Sequence, residues 1–266
     1  MRTAVVCLAS EAYRAWTEVQ SGTVARWAPE AEYIVLWEEE LRKAPGAPVY
    51  EHTGQFLFAC RYKAIRELLA KYDQVIHVGA DVYFTDRFLE PLRAYKEDCL
   101  LTPHILGPPT RPITDYVKTG LPNSDFQVWR RSQEVFAFLD WMTSELATNC
   151  IDNTSNGQFF DQTLLQFAPY FINSCKIYRH PGFNVAYYNL HERTVSNKDG
   201  CWYVNGMPLY CFQFSGYEPE FRPFSLTKFK LDGKLVTRDI LTLIKEFYNE
   251  YESTATRSRI RDESKS

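Results

Sequence analysis

The stretch QVIHVGADVYF, residues 74–84, decides how the rest of the chain is read. It has the apolar, β-branched character of a buried strand, yet a Gly-Ala-Asp interrupts it. A buried carboxylate is costly unless a neighbour or a ligand satisfies it. Asp81 therefore asks for a partner, and it falls just past the strand-like QVIHV. Upstream, TAVVCLAS reads as a buried strand, residues 11–27 as a helix and EYIVLWE as a second strand. APGAPVYEHTG is a loop broken by Pro and Gly. Within 54–72, Phe58, Tyr62, Ile65, Leu69 and Tyr72 step by four, three, four and three, one face of an amphipathic helix. Strand, helix, strand, helix, strand predicts a parallel sheet with right-handed crossovers. Ligands of such sheets bind beyond the carboxyl ends of the strands, which is where Asp81 lies.

Downstream the pattern is less regular. A short helix is expected over 88–95, then the strand CLLTPHIL and the Pro-rich loop GPPTRPITD. Val135, Leu139, Met142 and Leu146 mark a helix. The polar run NCIDNTSNGQ leads into FFDQTLLQF, read as helical, and YFINSCKIY is strand-like. PGFNVAYYNLHER and PLYCFQFSGYEPE carry strands and turns, and Ile240, Ile244, Phe247 and Tyr251 a last helix. One domain is expected over residues 1–252, with 253–266 a disordered polar tail.

Composition narrows the function classes. Apolar residues are 45% and charged residues 24% of the 266, as in soluble globular proteins. A net charge of −3 and no basic stripe give nucleic-acid binding no electrostatic support. No window approaches a membrane span, and MRTAVVCLAS suits a first strand better than a signal peptide. Seven cysteines without a Cys-x-x-Cys indicate neither a disulfide framework nor a zinc knuckle, so a reducing cytoplasm is the expected setting. The first strand is followed by SEAYRAW rather than a Gly-rich phosphate loop, which argues against NAD-dependent and P-loop chemistry. No Gly-x-Ser-x-Gly or His-Glu-x-x-His is present. Aromatic residues, 15% of the chain, suit either a core or the lining of a sugar or base cleft.

The polar residues set in apolar context are Asp81, Asn123-Ser124-Asp125, Asp161-Gln162, Asn184 and Gln213 with Ser215-Gly216. On these, over roughly residues 3–220, the sequence resembles nucleotide-sugar glycosyltransferases of the GT-A fold. The nearest types are bacterial and viral surface-polysaccharide enzymes and the related retaining galactosyltransferase-like group. The resemblance implies a Rossmann-like, mixed but mostly parallel sheet flanked by helices. It implies a nucleotide-sugar donor and an oligosaccharide or glycoconjugate acceptor. Those enzymes carry Asp-x-Asp, and here Asp81 matches the last Asp while Gly79 replaces the first, with Ala80 between. Asn123, Ser124 and Asp125 match the sugar-pocket segment, and Asp161-Gln162 the pair near the transferred sugar and acceptor. Gln213-Phe214-Ser215-Gly216 matches a His-Phe-x-Gly segment with Gln for His, and His180 and Asn184 are assigned to the donor.

By the same resemblance Asp161, Asp125 and Gln162 are the catalytic candidates, and either Asp is a possible general base. Retention or inversion stays open. Asp161→Asn is expected to lower turnover far more than stability. The family's divalent cation, manganese or magnesium, wants carboxylates and tolerates imidazole. Gly79 and Gln213 remove two such ligands, leaving a weak site on Asp81 or none. Without metal, Arg14, Lys63, Arg111, His180 or Arg193, or helix N-termini, would neutralise the leaving diphosphate. Plainer roles compete. Asp81 can cap a strand end, Asp161 a helix N-terminus, and Asp125 can sit in a turn. Gln213 and His104 can be hydrogen-bonded structural residues. Two other functions are weighed: a degenerate relative that binds without transfer, and a nucleotidyltransferase, which SEAYRAW fits poorly.

Overall fold

The structure is a computed structural model that describes residues 1–110, 112–219 and 235–263, with side chains described through Arg257. In chain order the first half comprises β1 Thr3–Ala9, α1 Arg14–Trp27, β2 Glu32–Trp37, α2 Glu38–Lys43, α3 Thr53–Leu69, β3 Gln74–Val78, β4 Val82–Phe84 and α4 Leu89–Arg93. It continues with β5 Cys99–Pro103, α5 Ile113–Thr119, β6 Pro122–Arg130 and α6 Gln133–Leu146. The second half comprises β7 Asp152–Asn153, β8 Gln158–Phe159, α7 Ala168–Phe171, β9 Cys175–Ile177 and β10 Val185–Ala186. Then follow β11 Val195–Lys198, β12 Cys201–Val204, β13 Met207–Pro208, β14 Cys211–Gln213 and α8 Arg238–Glu263. No described helix is long and apolar enough to cross a membrane.

The expectation of a single domain over 1–252 meets a chain that falls into two compact units, each built from three segments. The first unit is Met1–Glu11, Glu30–Gly79 and Pro91–Arg179. Its six-stranded sheet has the order β2-β1-β3-β6-β5-β9. β1 runs parallel to β2 and β3, and β5 parallel to β9, while β6 is antiparallel to both its neighbours. The sheet is thus mixed and mostly parallel, as expected. Every residue of β1 is buried, which is why its sequence is a continuous apolar run without alternation. Phe56, Tyr62, Ile65 and Leu69 of α3 and Val135, Phe138, Leu139, Met142 and Leu146 of α6 share one core with Val6, Leu101 and Trp129. Ser132 caps α6, its Oγ accepting from the Val135 amide at 3.3 Å.

Two stretches of this unit depart from the sequence reading. FFDQTLLQF is not a helix. Phe159 pairs with Asp152 in a two-residue ladder, Phe160 turns at a φ of 46°, and 164–167 is a single 3₁₀ turn. Its apolar spacing suited a helix, but the polar groups of the segment bond to distant parts of the chain instead. The loop GPPTRPITD gives way to α5 from Ile113 onward.

The second unit is Ala12–Pro29, Ala80–Glu90 and His180–Ser266. It holds the three-stranded sheet β10-β14-β4 and the three-stranded meander β11-β12-β13. β3 and β4 therefore belong to different sheets, and the Gly79-Ala80-Asp81 turn is a true break between them. Asp199-Gly200 and Asn205-Gly206, all at positive φ, make the two tight turns of the meander. Aromatic residues fill this core as they do that of the first unit. Trp16 of α1, Tyr83 of β4, Phe214 and Phe247 of α8 meet at centroid distances of 4.3–6.5 Å.

The tail expected to be disordered from 253 is helical as far as Glu263. Thr237 Oγ1 accepts from the Ile240 amide, and Ile240, Leu243, Ile244, Phe247 and Tyr251 are buried along one face. Thr254 is buried too and Ala255 packs against the same cluster, so the buried face of the helix continues past Tyr251. A helix nucleated by packing extends at little cost through residues of ordinary propensity.

Candidate functional site

In the first unit the site grows from the start of β6. The β3–β6 ladder ends at Val78 opposite Phe126, and the Gly79 amide extends it by donating to the Asp125 carbonyl at 3.0 Å. Asn123 Oδ1 accepts from the Asp125 amide at 2.8 Å, so these residues form a locally braced strand start rather than a free turn. Gln162 joins them: its Oε1 accepts from the Ser124 amide at 3.2 Å and its Nε2 donates to the Thr119 carbonyl at 2.6 Å. His104 Nε2 lies 3.4 Å from Asn123 Nδ2, and its Nδ1 is 3.2 Å from the Leu121 carbonyl.

The centre of this cluster is Arg61 of α3, which sequence reasoning missed. Its guanidinium donates to Asp161 Oδ2 at 2.5 Å and to the Ser124 carbonyl at 3.2 Å, and stands 3.8 Å from Asp125 Oδ1. Tyr62 donates to the same Asp161 oxygen at 2.8 Å. The side chains of Arg61 and Asp161 are 4% and 2% exposed, whereas that of Asp125 is 25% exposed. Burial pushes the Asp161 carboxyl upward, partly offset by Arg61 and the Tyr62 hydroxyl. Burial also opposes the Arg61 charge, but Asp161, Tyr62 and Asp125 outweigh it and hold the guanidinium above its ordinary range. A guanidinium keeps its proton in proteins, so Arg61 brings a positive charge into this buried cluster. The signal in the sequence was a lone Arg beside Tyr62 on the apolar face of α3.

His77 of β3 lies in the same unit and is 1% exposed, with no hydrogen-bond partner at Nδ1. Burial, and then the Arg61 charge, hold it well below its ordinary value against a main-chain hydrogen bond with Ser124. Folded His77 is neutral, while the unfolded imidazole titrates near ~6.5. The unfolded chain therefore takes up the extra proton, and this stabilisation, complete above that value, is lost as pH falls below it. The stability slope attributable to His77 is expected to be about 1.4 kcal/mol per pH unit below about pH 6. Urea midpoints of wild type and His77→Gln across that range measure it; equal slopes would reject the assignment.

In the second unit Asp81 is half-buried in the turn before β4, and its carbonyl accepts from the Phe214 amide at 2.9 Å. β4 and β14 pair so that Val82 faces Gln213. The Tyr188 hydroxyl lies 2.9 Å from both Gln213 Oε1 and Asn184 Oδ1. One hydroxyl proton cannot serve two carbonyl oxygens, so one of these amides presents its NH₂ to Tyr188. Asn184 sits at a φ of 53°, and its carbonyl accepts from Arg193 Nη1 at 2.7 Å and from Asn189 Nδ2 at 2.8 Å. Ser215 and Gly216 form the turn closed by the Tyr217 amide on the Phe214 carbonyl.

No family model matches the chain. Two curated relatives, both uncharacterised proteins of Bacillus subtilis strain 168, align with part of it. YfnF is 31% identical over 133 residues, 49% of this chain and 42% of that protein. YfnD is 27% identical over 160 residues, 56% and 50% respectively. The chain thus spans about half the length of the curated relatives it matches. Solved structures cover it more fully. The galactosyltransferase LgtC, solved with donor and acceptor sugar analogues, superposes with a TM-score of 0.55 at 15% identity, covering 94% of this chain and 95% of its own. A glycosyltransferase involved in glycosylation of the major capsid of PBCV-1 gives 0.55 at 10% identity over 84% and 97%. The glycosyltransferase GlyE of Streptococcus pneumoniae TIGR4 gives 0.52 at 12% identity over 97% and 64%. This chain has the GT-A glycosyltransferase fold.

The GT-A scaffold brings the predicted residues into two groups. Asn123, Ser124, Asp125, Asp161 and Gln162 gather around Arg61 in the first unit. Asn184 and Gln213 meet at Tyr188 in the second, where Asp81 and Ala80 precede β4. His180 is half-buried against Phe183 and Tyr210, its Nδ1 accepting from the Gly182 amide, and burial followed by the Arg193 charge lowers its pKa. Among the candidate cations, Arg193 is buried and holds the Phe183 and Asn184 carbonyls, and Lys63 donates to the Pro45 carbonyl. Arg14 is exposed, and Arg111 lies outside the described residues. A hard divalent cation would find one carboxylate in Gly79-Ala80-Asp81 and, at Gln213, a neutral amide already bonded to Tyr188. Among the described residues no three His, Cys, Asp or Glu side chains converge. That is a sparse donor set, one carboxylate and one amide, for a cation that takes several oxygen ligands.

Proposed function

We propose that the chain is a glycosyltransferase that moves a sugar from a nucleotide-diphosphate sugar to a glycan or glycoconjugate acceptor. The observation that carries this reading is the Arg61 network. A buried cation, a buried carboxylate and two amides fix the start of β6, yet leave the Asp125 carboxylate partly open to solvent. Desolvated charge is a costly way to hold a strand and is justified where a neighbouring group must be held in place for chemistry. The near end-to-end superposition on LgtC supports the same reading.

Transfer develops positive charge on the sugar and releases a dianionic leaving group. In this reading Asp125 acts as the carboxylate beside the sugar or as base to the acceptor hydroxyl. Asn123, Ser124 and Gln162 orient the sugar, and Asp161 is a positioning residue acting through Arg61. Asp81, Gly79, Ala80, Gln213, Ser215 and Gly216 serve the donor, with Asn184 setting the orientation of Gln213 through Tyr188. His180 supports that segment by packing. Metal dependence is proposed to be weak or absent, because Gly79 and Gln213 stand where ligands are needed. Free cysteines among the described residues support a reducing, cytoplasmic setting.

A thermal-shift screen against nucleotide sugars tests the reading. A matched donor at a hundred times its dissociation constant stabilises by about 2.7 kcal/mol, roughly a 5–10 °C shift. Transfer or slow hydrolysis of that donor should continue at least in part in EDTA. Complete loss on chelation, restored by manganese, would overturn metal independence; absence of any donor-induced shift would overturn the function. The second reading, a binder without transfer, rests on Gly79. A donor-induced shift with no turnover in single-turnover conditions would favour it.

A further inference from the structure

Cys99 and Cys175 stand opposite each other on adjacent strands. The parallel β5–β9 register pairs Cys99 with Cys175, Leu100 with Lys176 and Leu101 with Ile177. Residues in register on neighbouring strands project from the same face, and both thiols pack into the apolar cluster that holds Leu101, Trp129 and Ile172. Strand spacing of about 4.8 Å lies within the roughly 4.4–6.8 Å Cα separation that a disulfide spans. β9 is the edge strand, so Cys175 is partly exposed while Cys99 is fully buried. The two thiols are hydrogen-bond partners. That contact holds Cys175 below its ordinary value, whereas burial pushes Cys99 well above.

We propose that Cys99 and Cys175 are a modification site, a thiol pair that a low-molecular-weight disulfide converts to an intramolecular disulfide. The Cys175 thiolate attacks one sulfur of the small disulfide and expels the first thiolate. The Cys99 thiolate then attacks the Cys175 sulfur and expels the second. The two protein protons end on the two released thiols, so the protein loses two electrons and two protons and the small disulfide gains them. Cys175 is the attacking group because it is accessible and the better thiolate, and Cys99 resolves the adduct from within the core. Neighbours on parallel strands keep their Cβ atoms near the strand spacing, wider than the ~3.8 Å mean of a relaxed disulfide. The bond is therefore strained and readily reduced, as suits a reversible switch. It closes the loop that carries β6, α6 and the Asn123–Asp125 and Asp161–Gln162 segments.

The test uses the full chain carrying Cys201→Ser, which removes the exposed cysteine as a competing target. Native protein is incubated with oxidised glutathione, quenched by alkylation and measured by intact mass and peptide mapping. The expected result is a mass lower by two hydrogens and a linked Cys99–Cys175 peptide, both reversed by dithiothreitol. Cys99→Ala should trap a glutathione adduct on Cys175. A glutathione adduct that persists on Cys175 with Cys99 present, a bridge to another cysteine or an unchanged mass would overturn the proposal.

Discussion

Asp161→Ala is expected to destabilise the fold by about 3–5 kcal/mol, because it leaves the buried Arg61 charge without its closest partner. The guanidinium would keep the Ser124 carbonyl at 3.2 Å, Asp125 at 3.8 Å and the face of the Phe58 ring, and the Tyr62 hydroxyl would lose its Asp161 acceptor. In a chain of this size that loss is a fall of roughly 6–20 °C in thermal midpoint. The sequence led to the expectation that Asp161→Asn lowers turnover far more than stability; the burial of both partners adds a stability cost to removing the carboxylate. Adding Arg61→Met to the Asp161 variant should restore much of the stability, since an apolar pair of similar volume tolerates the same site. Asp125→Asn makes the contrast. Its side chain is one-quarter exposed and its ion contact long, so stability should fall by less than about 1 kcal/mol while transfer collapses. Urea midpoints and donor turnover, measured on all three variants, decide the matter. A stable Asp161→Ala protein would mean that the pair is not the anchor described above.

Gly120→Ala should cost about 2–4 kcal/mol and abolish the donor-induced thermal shift. Gly120 adopts φ 91° and ψ 145°, a region essentially closed to side chains. A Cβ there would stand 2.8 Å from the Gln162 carbonyl oxygen and 3.2 Å from the Thr163 Cα, and main-chain atoms cannot swing aside. The segment carrying Gln162 would have to move, taking with it the bonds to the Ser124 amide and Thr119 carbonyl. Gly157→Ala is the control. It shares the positive φ, at 76°, but its Cβ would meet nothing within 4 Å, so only the backbone cost of about 1 kcal/mol applies. Equal melting points for the two variants would show that close approach to Gln162 plays no part.

The two halves of the chain were legible to different degrees. In the first, β1, α1, β2, α3 and β3 fall where apolar spacing predicts, because strands and helices of five residues or more repeat their burial period often enough to be seen. The second half uses strands of two to four residues, too short to show a period. Asp199-Gly200 and Asn205-Gly206 carry the hairpin signal in the sequence itself, an Asp or Asn followed by Gly. FFDQTLLQF misled because its apolar spacing suits a helix while its polar groups bond elsewhere.

The sequence by itself determined the strand–helix order, the break after β3 and the polar residues held in apolar surroundings, since each is a property of neighbours along the chain. Only the tertiary structure decided what those residues do. Arg61 meets Asp161 a hundred positions away, Tyr188 meets Gln213, and Cys99 lies across from Cys175. Each pairing depends on desolvation and on distances set by the sheet register, and spacing along the chain encodes neither. Burial makes Asp161 the internal partner of Arg61 and leaves the Asp125 carboxylate partly open to solvent.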